Sequence, residues 1–131
     1  MNQVILPDGW PRPRGYANAV LARGRLLSIA GMIGWDAHQQ FHSDDFGEQA
    51  LQALRNVADV LRAAGAKPEN IVRMTWYVTD KREYLAAGRR IGEAFRELIG
   101  HYDIAMTAVE VKALIEDRAK VEIEVTAVLP D

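Results

Sequence analysis

The segment Ile71 to Val78, Ile-Val-Arg-Met-Thr-Trp-Tyr-Val, constrains this chain more than any other. Its β-branched and aromatic residues read as a strand. Successive strand side chains point to opposite faces, which sets Val72, Met74, Trp76 and Val78 on one side and Ile71, Thr75 and Tyr77 on the other. Both sides carry bulk, whereas a sheet with one wet face reads polar there. Such a strand needs cover on both sides.

The remaining sequence offers two helices. The first starts near Asp45, where Asp45 and Glu48 form a capping box, continues through Leu51, Leu54, Val57, Ala58 and Leu61 at helical spacing, and stops at Gly65. The second repeats the box with Asp80 and Glu83, carries Tyr84, Ala87, Ile91, Ala94, Phe95 and Leu98 on one stripe, and ends at Gly100. Ala17 to Ala22 and Leu26 to Gly31, joined by Arg23-Gly24-Arg25, read as a β-hairpin, with a further short strand around Gln3 to Leu6. Met106 to Val111 and Lys120 to Val128 supply two more strands, and Met32 to Asp45 reads as a long loop. The expected fold is α/β (α+β), a single mixed sheet with both helices on one face because parallel crossovers are right-handed. The second face then asks for a partner subunit in a closed ring or dimer.

Composition narrows the partners. With 131 residues and 49% hydrophobic content the chain is expected to form one domain over residues 1–131. A formal net charge of -2 provides no broad positive field for nucleic acid or an anionic membrane surface. Cysteine is absent, which removes thiolate chemistry and favours an intracellular compartment. The segment Met1 to Arg14, with Pro7, Pro11 and Pro13, is neither a signal-peptide core nor a membrane span, so a soluble cytoplasmic protein is expected.

Candidate chemistry is spread along the chain. Glu122 and Glu124 alternate with Val121, Ile123 and Val125 and so share one strand face. They fit either a solvated face or, if a partner covers them, a carboxylate that moves a proton through water. Glu110 fits an ion pair with Lys112 or Lys120 better than catalysis. His38 and His42 with Asp36 and Asp44 lack the helical spacing of a metal site, and no metal is expected. His101 follows a helix end and suits its dipole. Arg14, Arg89 and Arg90 can each grip a carboxylate, with none privileged.

Taken together, Gly15-Tyr16, Ile29-Ala30-Gly31, Ala53-Leu54-Arg55-Asn56-Val57, Ala63-Ala64-Gly65, the run Ile71 to Asp80 and Val121-Glu122-Ile123-Glu124 resemble the YjgF/RidA family over nearly the whole chain. The resemblance implies a chorismate-mutase-like fold and a homotrimer whose sheets meet as a central barrel, with clefts between subunits. It also implies hydrolysis of enamines and imines to a 2-keto acid and ammonia, without cofactor or metal. Glu122 matches the glutamate that positions water and Tyr16 the cleft tyrosine.

One position departs from that pattern. Met106 stands where the deaminases of the family carry an arginine that binds the substrate carboxylate, and Ala30 replaces a small hydroxyl residue before Gly31. Met106, Ala30, Gly31, Trp35 and Thr107 are thus expected around a small-molecule ligand, in a cleft more apolar than usual, with Arg14 and Arg89 as candidate cations. The expected function is divergent imine or enamine hydrolysis. The alternatives are a non-catalytic small-molecule-binding trimer and, on an older family name alone, an endoribonuclease or translation inhibitor, against which the charge balance counts.

Overall fold

The computed structural model describes residues 2–131. Helix α1 spans Phe46–Ala63 and is capped by Asp45 as the sequence predicts, the Glu48 N–H donating to its carboxylate at 2.9 Å. The capping box does not close, because the Asp45 N–H donates to Ser43 Oγ at 2.9 Å instead of to Glu48. Ala53, Leu54 and Val57 are fully buried on its inner face. Burying a side chain the size of Leu54 contributes about 1.5 to 3 kcal/mol. Gly65, at φ 72°, takes the left-handed turn that ends the segment.

The second expected helix is two, and its capping box with Glu83 does not form: Asp80 accepts the Arg82 N–H at 2.8 Å while Glu83 pairs with Lys120 at 3.2 Å. Helix α2 covers Lys81–Ala86 and helix α3 covers Gly88–Leu98, broken at Ala87 with φ −91° and ψ 5°. Gly88 has the poorest helix propensity after proline, and buried Ala87 sits at the bend. The bend lets both segments reach one target: Tyr84 and Phe95 each lie against the buried Trp76, with ring centroids 5.8 and 6.2 Å away.

The single-sheet expectation is also overturned. Strands β1 (Gln3–Ile5) and β2 (Ala19–Leu21) pair antiparallel in a sheet of their own. Strands β3 (Arg25–Ile33), β4 (Ile71–Val78), β5 (Ala105–Glu110) and β6 (Val121–Leu129) form a second, mixed sheet in the order β3-β6-β4-β5. The expected hairpin between β2 and β3 does not exist, because β2 offers three residues to a partner and β3 pairs along nearly its whole length with β6. Gly24 makes the step between sheets at φ 145°; a Cβ there would stand 2.0 Å from the Leu129 carbonyl oxygen.

The helices pack on one face of the larger sheet, where Val121, Ile123, Val125 and Ala127 of β6 are no more than 1% exposed. The opposite face differs from the expectation. The β4–β6 register shifts between Ile71 and Arg73, so Ile71 turns into the core and Arg73 turns away from it. That face therefore carries Arg73, Thr75 and Tyr77 of β4, Thr107 and Val109 of β5, and Glu122, Glu124 and Thr126 of β6. It is a mixed, largely polar surface, so exposed apolar area on this face does not call for a partner subunit, contrary to the expectation.

Candidate functional site

Glu122 is fixed by the two strands beside β6. Tyr77 of β4 is its cross-strand neighbour, and Val109 of β5 lies beyond Tyr77 in the same row. On the other side the β3–β6 register shifts between Ile29 and Met32, and the Glu122 side chain lies over Gly31: a Cβ at Gly31 would fall 2.0 Å from Glu122 Oε2. Glycine is needed here for space, and Ala30 beside it is exposed. Among the described residues no lysine, arginine or histidine forms an ion pair with Glu122.

The start of β6 is held from below by a buried amide. Gln49 of α1 is 1% exposed, and its Nε2 donates to the carbonyls of Ser43 and Arg118 at 3.0 Å each. Its Oε1 accepts from the Lys120 N–H at 2.8 Å. Gly34, at the end of β3, approaches so closely that a Cβ would meet the Gln49 backbone at 2.7 Å. Gln49 thus ties the segment leading into β6, just before Glu122, to the helix layer, with every polar atom of its side chain satisfied.

The same face holds a second carboxylate with a partner. The Tyr77 hydroxyl donates to Glu124 Oε1 at 3.0 Å. This hydrogen bond to a carboxylate, then partial desolvation, push the tyrosine pKa above its usual value. Glu110 does not join this group and forms no ion pair with Lys112 or Lys120; its Oε1 accepts the Lys81 N–H at 2.8 Å and so helps cap α2.

Tyr16 lies at the outer edge of β5. Ala17 bridges Ala105, and the Ala17 N–H donates to the Ile104 carbonyl at 2.8 Å, which sets Tyr16 beside the strand start. Tyr16 is 45% exposed and lines a cleft of 620 Å³ together with Pro13, Gly15, Arg96, His101, Tyr102 and Asp103. Met106 follows Ala105, but its register partner is the fully buried Met74 and it packs against the helix-side core. Thr107, next in the strand, is exposed on the opposite face beside Thr75.

The remaining candidates do not gather there. Trp35 stands beyond the end of β3, its ring 5.8 Å from Phe41 and its carbonyl held by Asn56 Nδ2 at 2.7 Å. Arg14 is exposed in the loop before Gly15, and Arg89 is exposed in the first turn of α3. Arg90 is engaged by Asp45 and lies within 4.0 Å of Glu48. Asp36 and His42 form a 2.6 Å contact, and that hydrogen bond, then the Gln40 and His38 amides, lower the Asp36 pKa to about 2.

Two groupings result: Glu122 with Ala30 and Gly31 on the open face, and Tyr16 at the β5 edge. Met106 lies on the opposite side of the sheet from Glu122. Arg96 and Tyr77 escaped the sequence reading. A lone arginine on a helix gives no sign that it reaches the Tyr16 loop, and the pairing of Tyr77 with Glu122 depends on register. Only the alternation of Ile71, Thr75 and Tyr77 hinted at the latter.

Known proteins share this fold. A structure described as a protein of unknown function of the conserved Rid protein family, YyfB from Yersinia pestis, superposes with a TM-score of 0.84 at 33% identity, covering 98% of both chains. The 2-iminobutanoate/2-iminopropanoate deaminase of Salmonella typhimurium is 30% identical over 98% of both chains. TdcF of E. coli, solved with bound serine, is 26% identical with a TM-score of 0.72, covering 97% of this chain and 98% of that one. No helix of the described residues is long and apolar enough to cross a membrane. The Endoribonuclease L-PSP family model matches residues 11–129, and with these relatives it shows that the chain belongs to that family, the YjgF/RidA family its sequence resembles.

Proposed function

We propose that this protein hydrolyses an imine or enamine of a small metabolite, without cofactor, in clefts formed between copies of itself in a homotrimer. The observation that carries the reading is the placement of Glu122: an unpaired carboxylate over the bare backbone of Gly31, at a site where any larger residue would displace it. Relatives named as 2-iminobutanoate/2-iminopropanoate deaminases supply the reaction class. TdcF with bound serine supplies the ligand size.

In the reaction Glu122 accepts a proton from a water molecule as its oxygen attacks the imine carbon. The C–N bond then breaks, nitrogen leaves as ammonia after protonation, and the carbonyl product remains. Tyr16 orients the substrate by its hydroxyl. Since Glu122 sits on β6 and Tyr16 beyond the β5 edge, with β4 and β5 between them in one chain, a cleft containing both joins the β5 edge of one copy to the β3–β6 face of another. That requirement replaces the apolar-face argument as the support for assembly.

The test is ammonia release from freshly generated 2-iminobutanoate, compared between the parent chain and Glu122→Gln. The variant is expected to lose about a hundredfold or more of turnover, the usual contribution of general acid–base catalysis. A parent chain with no turnover on this substrate or on uncharged imines ends the hydrolase reading and favours a binding protein. A solution mass of a single chain ends the assembly reading.

A further inference from the structure

The cleft beside Tyr16 is not the apolar pocket that Met106 alone suggests. Arg96 reaches it from the last turn of α3, where its charge also suits the helix dipole. Arg90, Arg62 and Arg118 do not line this cleft and are engaged by Asp45, Asp59 and Asp44. Among the described residues Arg96 has no ion-pair partner. Its Nη1 lies 3.8 Å from where a Cβ on Gly92 would stand, one turn back along α3, and no carboxylate engages the planar pair of donors it can turn to an incoming anion.

The rest of the cleft supports the same ligand. Tyr102 packs its ring on Phe95 at 4.8 Å, which fixes it, and its hydroxyl faces Gly15 at the cleft wall. A second cleft of 400 Å³ adjoins through Pro13, Tyr16, His101 and Asp103, and Arg12 lines it. The one carboxylate lining both is Asp103, which has His101 at 3.5 Å. The two clefts that meet at Tyr16 therefore carry two arginines against a single acid.

We propose that Arg96 determines specificity by anchoring the carboxylate of a small monoanionic ligand in the Tyr16 cleft. This rests on the reading above that Tyr16 belongs to the ligand site. It makes a carboxylate ligand acceptable although Met106 offers it no charge.

Amide NMR titration of the full chain with 2-oxobutanoate, the stable keto acid that 2-iminobutanoate hydrolysis yields, reads binding without requiring turnover. The amides of Gly15, Tyr16 and Gly100 to Asp103 are expected to shift, and Arg96→Gln weakens the affinity about tenfold while Arg96→Lys recovers part of it. Added salt weakens binding by the parent chain and much less by Arg96→Gln. Butan-2-one, the uncharged counterpart, leaves these amides in place. Arg96 is exposed, so its variants keep a dispersed spectrum as their own folding control. Equal affinity in Arg96→Gln, or no response at the Tyr16 cleft in the parent chain, overturns the proposal. A parent chain that binds through Arg96 yet turns nothing over would instead sink the hydrolase reading alone.

Discussion

At the residue scale the sharpest constraint is the contact between Gly31 and Glu122. A Cβ at position 31 would meet only the flexible end of the glutamate, at 2.0 Å from Oε2 and 2.7 Å from Cδ. Gly31→Ala is therefore expected to displace the carboxylate while changing stability by less than about 1 kcal/mol. Turnover of 2-iminobutanoate should fall to the level of Glu122→Gln, with thermal unfolding nearly unmoved. Full activity in Gly31→Ala would show that the carboxylate does its work elsewhere. The sequence singles out both residues through the resemblance, but not their contact, because a β-bulge decides which side chains of two distant strands meet.

At the scale of elements, caps and kinks set the helices. Asp45 starts α1, and the Arg90 guanidinium, then the Glu48 amide, hold its carboxyl below the usual 3.8. A folded-state pKa below the unfolded one gives stability that is complete above the unfolded value and lost as pH falls through the folded value. Asp45→Ala is expected to cost about 1 kcal/mol in denaturant unfolding at neutral pH, mostly through the cap, since Asp45 and Arg90 are half-exposed and solvent screens their attraction. The gap between parent and variant should narrow below about pH 4, where the carboxylate protonates. A gap unchanged at pH 3 would assign the loss to something other than the charge. The periodicity of α1 and its cap were legible in the sequence; the break at Ala87 was not, because two short apolar stripes in succession look like one.

At the scale of the molecule, the proposed assembly would cover a mixed face. Leu26, 71% exposed, pairs across to Val128 at one corner of it, and Val109, 41% exposed, lies near the other edge. Leu26→Glu leaves the fold of one chain nearly untouched, since the side chain is mostly in water already. It should nonetheless lower the solution mass by light scattering, as a charge buried against another copy costs several kcal/mol when unpaired. An unchanged mass would place the interface elsewhere.

The sequence by itself determined the N-cap residues Asp45 and Asp80, the strand segments, the near-neutral charge and the family, because capping, alternation, composition and motif order are local properties of the chain. It also named Glu122 and Tyr16. Only the tertiary structure decided that β2 leaves the main sheet, that Ile71 turns inward and Arg73 outward, that Met106 lies beneath the sheet while Glu122 lies above it, and that Arg96 reaches Tyr16. Those outcomes follow from pairing partners, bulges and helix direction, which are set by contacts between residues far apart in the chain.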